Sequence, residues 1–276
     1  MAFTRKDKIN GIDLHYARTL AHPYGTRGVK TKFYFEKDFF KTLEKCFKEM
    51  FKHCPLGKPE VITTAGVFVN RAGSQHRHGT AFDFDGAFWE DYTMMTTNFM
   101  VDFELYLGIE SFLRRHFGIV LNYLYNEGHK DHWHIDDSVG VAFSKNSRSK
   151  MLYLQATLSY IYQEEVVVDG LFGPQTQGAF NRVATKLGIR TGNPARDWLT
   201  YLELTGKVAF KLFESNKAPV RLLNNVYELV GDLPLSNRVA LAEALNSFRY
   251  HPTTDSWLGG LGDDDDRLAA AIDAVV

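Results

Sequence analysis

Gly73-Ser74-Gln75-His76-Arg77-His78-Gly79-Thr80-Ala81-Phe82-Asp83-Phe84-Asp85 runs from a glycine-bearing loop into a segment where carboxylates alternate with aromatics. The alternation predicts a strand over 81–85 with Asp83 and Asp85 on one face. Farther along, Gly128-His129-Lys130-Asp131-His132-Trp133-His134-Ile135-Asp136 reads as the entry to another strand. The two stretches hold five of the ten histidines and four carboxylates, and no other part of the chain is as dense in metal-capable groups. His76 and Asp83 stand seven positions apart across a glycine and small residues, and His134 completes a set of two imidazoles and one carboxylate. Such a set leaves a fourth tetrahedral position open, as catalytic zinc sites do, whereas structural sites usually close themselves with thiolates. Cys46 and Cys54 lie in a different segment without a C-x-x-C pair.

Around these stretches the chain reads as α+β. Over 36–54, Phe39, Phe40, Leu43, Cys46, Phe47, Met50, Phe51 and Cys54 recur at spacings of three and four among Lys and Glu. That pattern predicts an amphipathic helix of about five turns. Pro55, Gly57 and Pro59 end it, and the β-branched and aromatic runs 61–64 and 67–69 predict strands. A second amphipathic pattern covers 99–117, with Gly118 as its stop, and 119–125 is a further strand candidate. Residues 1–33, with Gly11, Pro23, Gly25 and Gly28, read as an irregular lead-in. The expectation is a domain over 1–145 in which helices flank a small antiparallel sheet. A polar linker, Ser144-Lys145-Asn146-Ser147-Arg148-Ser149-Lys150, then leads to an all-helical module over 150–191. The remainder, 192–276, is again helix-like, with patterns at 220–230, 235–248 and 267–275, the last behind the acidic run 263–266.

The 276 residues, 45% of them hydrophobic, suffice for a sizeable core and more than one domain. Lys+Arg 32 against Asp+Glu 33 gives a formal charge of −1, without the basic footprint that nucleic-acid partners require. No apolar run reaches the length of a membrane span. The start, Met1-Ala2-Phe3-Thr4-Arg5-Lys6-Asp7-Lys8-Ile9-Asn10, lacks the apolar core of an export signal, so synthesis in the cytoplasm is expected. Cys46 and Cys54 would stand about 12 Å apart along one helix, beyond disulfide reach, and read as buried thiols.

Ser74-x-His76-x-x-Gly79-x-Ala81-x-Asp83 followed by Asp131-x-x-His134 resembles the motifs of the zinc D-alanyl-D-alanine peptidases and related metallopeptidases of bacterial cell-wall peptides, phage endolysin peptidases and extensin-like C-terminal domains among them. The resemblance implies a zinc ion held by His76, Asp83 and His134, with Asp131 as general base where many relatives carry Glu. It also implies an upstream arginine, here Arg71, that holds a substrate carboxylate or carbonyl oxygen. Leu154-Gln155-x-x-Leu158 with Val168-Asp169-Gly170-x-Phe172-Gly173-Pro174-x-Thr176-x-x-Ala179-Phe180 is similar to peptidoglycan-binding domains of the three-helix type. Together the two likenesses cover about 40–190 and imply one substrate, the amide bonds of peptidoglycan stem peptides or crosslinks, cut by a D,D-endopeptidase or carboxypeptidase. Residues 192–276 carry no such likeness and are left for an accessory wall contact or an immunity or secretion-machine partner.

The base has a competitor in the sequence itself. A fully extended 131–136 puts His132, His134 and Asp136 on one face and Asp131 on the other, which makes His132 the nearer proton acceptor. Asp131 serves only if the strand begins near Trp133 and the preceding turn folds inward. His129 is a candidate for orienting the base or the transition state. His78 and Asp85 read as outer or surface groups, Trp133 as core or cleft wall, and Asp169 with Gly170 as a turn. Ser74 reads as a loop-ordering residue without the Gly-x-Ser-x-Gly context of a nucleophile. Two other functions compete: a non-catalytic wall-binding protein with a vestigial metal site, and a zinc amidohydrolase for another small peptide. A wall substrate without an export signal implies action in the periplasm or cell wall after lysis, as for a phage endolysin, or after specialised secretion.

Overall fold

The computed structural model describes residues 2–190 and 192–216, and the helical patterns expected at 220–230, 235–248 and 267–275 lie outside them. The described chain is α+β. Strands β1 (Phe3–Lys6) and β5 (Phe33–Glu36) form an antiparallel pair of their own. The main sheet has eight strands: β2 (Lys8–Ile9), β3 (Ile12–Tyr16), β4 (Val29–Lys30), β6 (Val61–Gly66), β7 (Ala81–Phe88), β8 (Thr93–Met95), β9 (Ile119–Leu121) and β10 (Trp133–Asp136). Their order is β2-β3-β6-β7-β10-β9, with β4 beside β3 and β8 beside β7.

This sheet is larger than the small antiparallel one expected, and β3 runs parallel to β6. Three of the additional strands, β2, β3 and β4, come from 1–33, which is not an irregular lead-in, and a fourth, β8, pairs with β7. Lys8 and Ile9 pair with Asp13 and Ile12 across Asn10 and Gly11, whose φ angles of 52° and 79° make a two-residue hairpin turn. Strands of two to five residues are too short to display a period in the sequence. Conversely, 67–69 is not a strand: β6 stops at Gly66, Val67 turns inward and is buried, and Phe68 and Val69 are exposed.

Helix α1 (Lys37–His53) forms where its periodicity places it, burying Phe39, Phe40, Leu43, Cys46, Phe47, Met50 and Phe51. The Glu36 carboxylate caps it by accepting from the backbone amides of Asp38 and Phe39. Phe47 packs edge-on against Phe82 and Phe84, which fastens the helix to the back of β7. Both cysteines are free and buried, as expected. Helix α2 (Phe103–His116) begins later than its apolar pattern and is buried on nearly every side, because α5 (Pro194–Asn216) crosses its outer face. At that crossing a Cβ on Gly108 would stand 2.5 Å from the Phe210 ring, so only a glycine lets the two helices approach.

The polar segment 144–150 is a linker only in its first part: Ser147 caps α3 (Arg148–Ala156), in which Ser149 and Lys150 are buried. Helix α3 continues as a π-helical turn, Thr157–Ile161, and α4 (Pro174–Lys186) follows. Gln155 ties the intervening loop: its Oε1 accepts from the amides of Asp169 and Gly170, and its Nε2 donates to Asp169 Oδ1 and the Leu171 carbonyl. Asp169 and Gly170 therefore make a turn, Gly170 with φ 78°. The hydrophobic cluster that contains Phe82 and Trp133 also contains Leu154, Val183 and Trp198, so the core runs on from the sheet into these helices.

Candidate metal centre

Two adjacent strands and one turn assemble the site. In the antiparallel pairing of β7 with β10, His134 lies directly opposite Asp83, which brings a side chain from each strand together on one face. His76 arrives from a 3-10 turn, Gln75–His78, that Ser74 Oγ caps by accepting from the His76 amide. Gly79, at φ 65°, reverses the chain into β7, and a Cβ there would press to 2.9 Å from the Glu36 nitrogen. Ser74 thus orders the loop, as its sequence context suggested.

The donor atoms converge. His76 Nε2 is 3.2 Å from both Asp83 Oδ1 and His134 Nδ1, and His134 Nδ1 is 2.9 Å from Asp83 Oδ1. His76, Asp83 and His134 each offer one ligand atom, all within 4.8 Å of one another. The far nitrogen of each ring is already engaged. His76 Nδ1 donates to the Val67 carbonyl at 2.8 Å, which leaves Nε2 with its lone pair facing the group. His134 Nε2 donates to Asp136 Oδ2 at 3.1 Å, which leaves Nδ1 facing it; Asp136 Oδ1 is held by the Ser138 amide at 2.9 Å and hydroxyl at 2.5 Å. Outer hydrogen bonds of this kind set the tautomer and raise the basicity of metal-ligating imidazoles. Two neutral nitrogens and one carboxylate suit zinc with a position left open.

Electrostatics agree with that donor set. Burial works against the Asp83 charge, but its contacts with the His134 and His76 rings outweigh it and hold the carboxyl well below the usual carboxylate range. Burial likewise disfavours a charged His134, yet Asp136 and Asp83 together raise its ring to about 9. In the metal-free protein a proton therefore sits between two carboxylates, at the place where a divalent ion would bind.

A second cluster adjoins the first. β10 begins at Trp133, the condition under which Asp131 could turn inward. Both of its oxygens carry a partner: Oδ1 accepts from His132 Nδ1 at 2.7 Å, and Oδ2 accepts from Nη1 of Arg18. His132 Nε2 stands 3.7 Å from Asp83 Oδ1, at the edge of the triad. Arg18 also grips Asp85 in a fork, Nε to Oδ2 at 3.0 Å and Nη2 to Oδ1 at 2.8 Å, and its Nη2 reaches the Asp131 carbonyl at 3.2 Å. The Asp85 side chain is fully buried, and burial pushes its carboxyl up to about 6 against the pull of Arg18. Burial opposes the Asp131 charge too, but the His132 bond and the Arg18 charge bring it below the usual range.

The remaining expected residues are placed as follows. Arg71 is exposed on the loop after β6, and the arginine that joins the cluster is Arg18. His129 lies beside the histidines, its ring 5.2 Å from that of His132 and 6.2 Å from that of His134, with burial drawing its pKa down to about 4. His78 is exposed, and Asp85 is an outer group, as its position suggested. Trp133 is core, its Nε1 donating to Glu110 Oε2 at 3.3 Å. Two participants went unassigned in the sequence. Asp136 had a signal, its shared strand face with His134, whereas Arg18 sits in the segment read as irregular and had none. A separate cavity of about 370 Å³, bordered by Phe143, Phe172, Phe180 and Trp198, shares no residue with the triad.

No family model, curated protein or solved structure matches this chain. Among the described residues no helix is long and apolar enough to cross a membrane.

Proposed function

We propose that this chain is a zinc-dependent peptidase that hydrolyses amide bonds in peptidoglycan stem peptides or crosslinks. The observation that carries the metal part is the convergence of His76 Nε2, Asp83 and His134 Nδ1 with the far nitrogen of each ring committed to an acceptor. The substrate part rests on the likeness of the Ser74–Asp83 and Asp131–His134 patterns to cell-wall peptidases, and of the Gln155–Phe180 pattern to wall-binding modules. A D-amino-acid amide in a crosslink, cut as an endopeptidase, is the preferred target, because an insoluble polymer suits an enzyme with an added binding module.

When bound, zinc supplies Lewis-acid polarisation of a carbonyl and lowers the pKa of water. His76, Asp83 and His134 would hold it. The Asp131–His132 pair stands at the edge of the triad to accept a proton from the attacking water and return it to the leaving amine. His129 lines the same face, where it can orient the reacting groups.

Metal analysis of protein purified without chelator, paired with digestion of crosslinked muropeptides, tests the reading. Zinc near one per chain and new peptide termini are expected. Sacculus binding without new termini, unchanged by His134→Ala, would instead make the chain a non-catalytic wall binder. Release of free D-alanine without opened crosslinks would make it a carboxypeptidase, and cleavage of free dipeptides alone would move it to another substrate. Delivery to the periplasm or wall, by lysis or specialised secretion with a partner bound through 192–276, is part of the same proposal. Equal toxicity with and without a grafted export signal would count against it.

A further inference from the structure

Both oxygens of the Asp131 carboxylate are already bonded, one to the His132 ring and the other to Arg18. Arg18 in turn is not a mobile surface cation. Its guanidinium is forked onto Asp85, whose side chain is wholly buried, and lies over the Tyr24 ring at 5.0 Å from its centroid. Tyr24 hydroxyl is itself tied to the buried Thr96 at 3.1 Å, so the platform beneath Arg18 is held to the sheet. A planar fork can grip one carboxylate along one edge and present its remaining N–H groups to a second, which an ammonium cannot do. Here the second is Asp131, which receives both the side-chain bond and the 3.2 Å bond from Nη2 to its carbonyl oxygen. With Asp131 pinned, its free edge meets Nδ1 of His132 at 2.7 Å, and Nε2 of that ring is left pointing to Asp83 at 3.7 Å.

We propose that Arg18, anchored on Asp85, is a positioning residue: it holds the Asp131 carboxylate on Nδ1 of His132, so that His132 Nε2 and not Asp131 faces the reacting groups. The inference rests on the peptidase reading for its catalytic meaning, but the clamp itself is a property of the side chains. Asp131 then fixes the tautomer and direction of the imidazole, with the proton on Nδ1 and the lone pair on Nε2.

The test uses the full chain loaded with zinc. Arg18→Ala alone leaves a buried carboxylate on Asp85 without its cation and so endangers folding. The deciding variant is Arg18→Ala combined with Asp85→Asn, which removes the stranded charge. The readout independent of turnover is the proton resonance of His132 Nδ1–H, assigned by its disappearance in His132→Gln. It is expected in the wild type and lost or strongly shifted in the double variant, with zinc still near one per chain. On muropeptides kcat should fall by roughly 10²-fold while KM changes little, the size expected from a misdirected catalytic group. Guanidinium ion should restore part of kcat in folded Arg18→Ala. An unchanged resonance and unchanged kcat in the double variant would overturn the clamp. A raised KM at unchanged kcat would overturn it too, because Arg18 would then be touching substrate. Should the wild type hydrolyse no muropeptide, the peptidase reading falls while the resonance still decides the clamp.

Discussion

Asp136→Asn is a nearly isosteric change that should weaken zinc binding by reversing a tautomer. Asp136 accepts on both oxygens, Oδ1 from the Ser138 amide and hydroxyl and Oδ2 from His134 Nε2–H. An asparagine at this position must keep its carbonyl oxygen toward the Ser138 amide, which can only donate. Its NH₂ group then faces His134 Nε2, and two donors cannot share that contact. The imidazole relieves the conflict by giving up its Nε2 proton and keeping the one on Nδ1, the nitrogen that faces Asp83 and His76. Loss of such an outer partner typically costs 10- to 100-fold in metal affinity, about 1.4 to 2.7 kcal/mol. Competition with a chromogenic chelator near neutral pH measures it, with the melting temperature of the metal-free protein as a control for folding. Wild-type zinc affinity in a folded Asp136→Asn protein would refute the tautomer argument and make the Asp136 contact incidental to metal binding.

His76→Ala, Asp83→Ala and His134→Ala should each lose zinc and hydrolysis together, so activity lost with stoichiometric zinc in any of them would remove that residue from the ligand set. His132→Ala should keep its zinc and lower turnover by about 10²- to 10⁴-fold, the scale of general acid–base assistance. Asp131→Asn should lower it less, because an amide oxygen still accepts from Nδ1–H; the opposite order of severity in single-turnover assays makes Asp131 the base. The His134 ring, raised from 6.5 to about 9, stabilises the metal-free fold fully below 6.5, and that contribution disappears as pH rises through 9. Zinc must displace the same proton, so its apparent affinity should fall about tenfold per unit as pH drops below about 9, and a flat profile across that range contradicts the assignment. Gly108→Val should force a side chain into the Phe210 ring and cost about 1–3 kcal/mol in denaturant unfolding with zinc affinity unchanged.

How much of this was legible in the sequence depends on the distance over which each feature is encoded. Helix α1 was, because seven buried positions on one helical stripe and a capping carboxylate are all local. The grouping of the triad was as well, since His76, Ser74 and Gly79 lie in one turn and His134 in a second stretch dense in histidine and aspartate. The question of which group faces the open side was posed by strand parity but not answered by it. It turns on where β10 begins and on what occupies the Asp131 carboxylate.

Length and density of histidines, alternation on β7, and the stripe on α1 were thus sufficient for an α+β chain with a candidate zinc triad. Tertiary structure alone decided the size of the sheet, the parallel pairing of β3 with β6, and the arginine of the site. Strands as short as β2 and β4 carry no period of their own and exist only through their neighbours. Arg18 meets Asp85 across 67 positions and Asp131 across 113. An isolated arginine in a glycine-bearing segment is chemically indistinguishable from a solvated surface cation until the sheet closes, because its partners are supplied by strands that pair only in the folded chain.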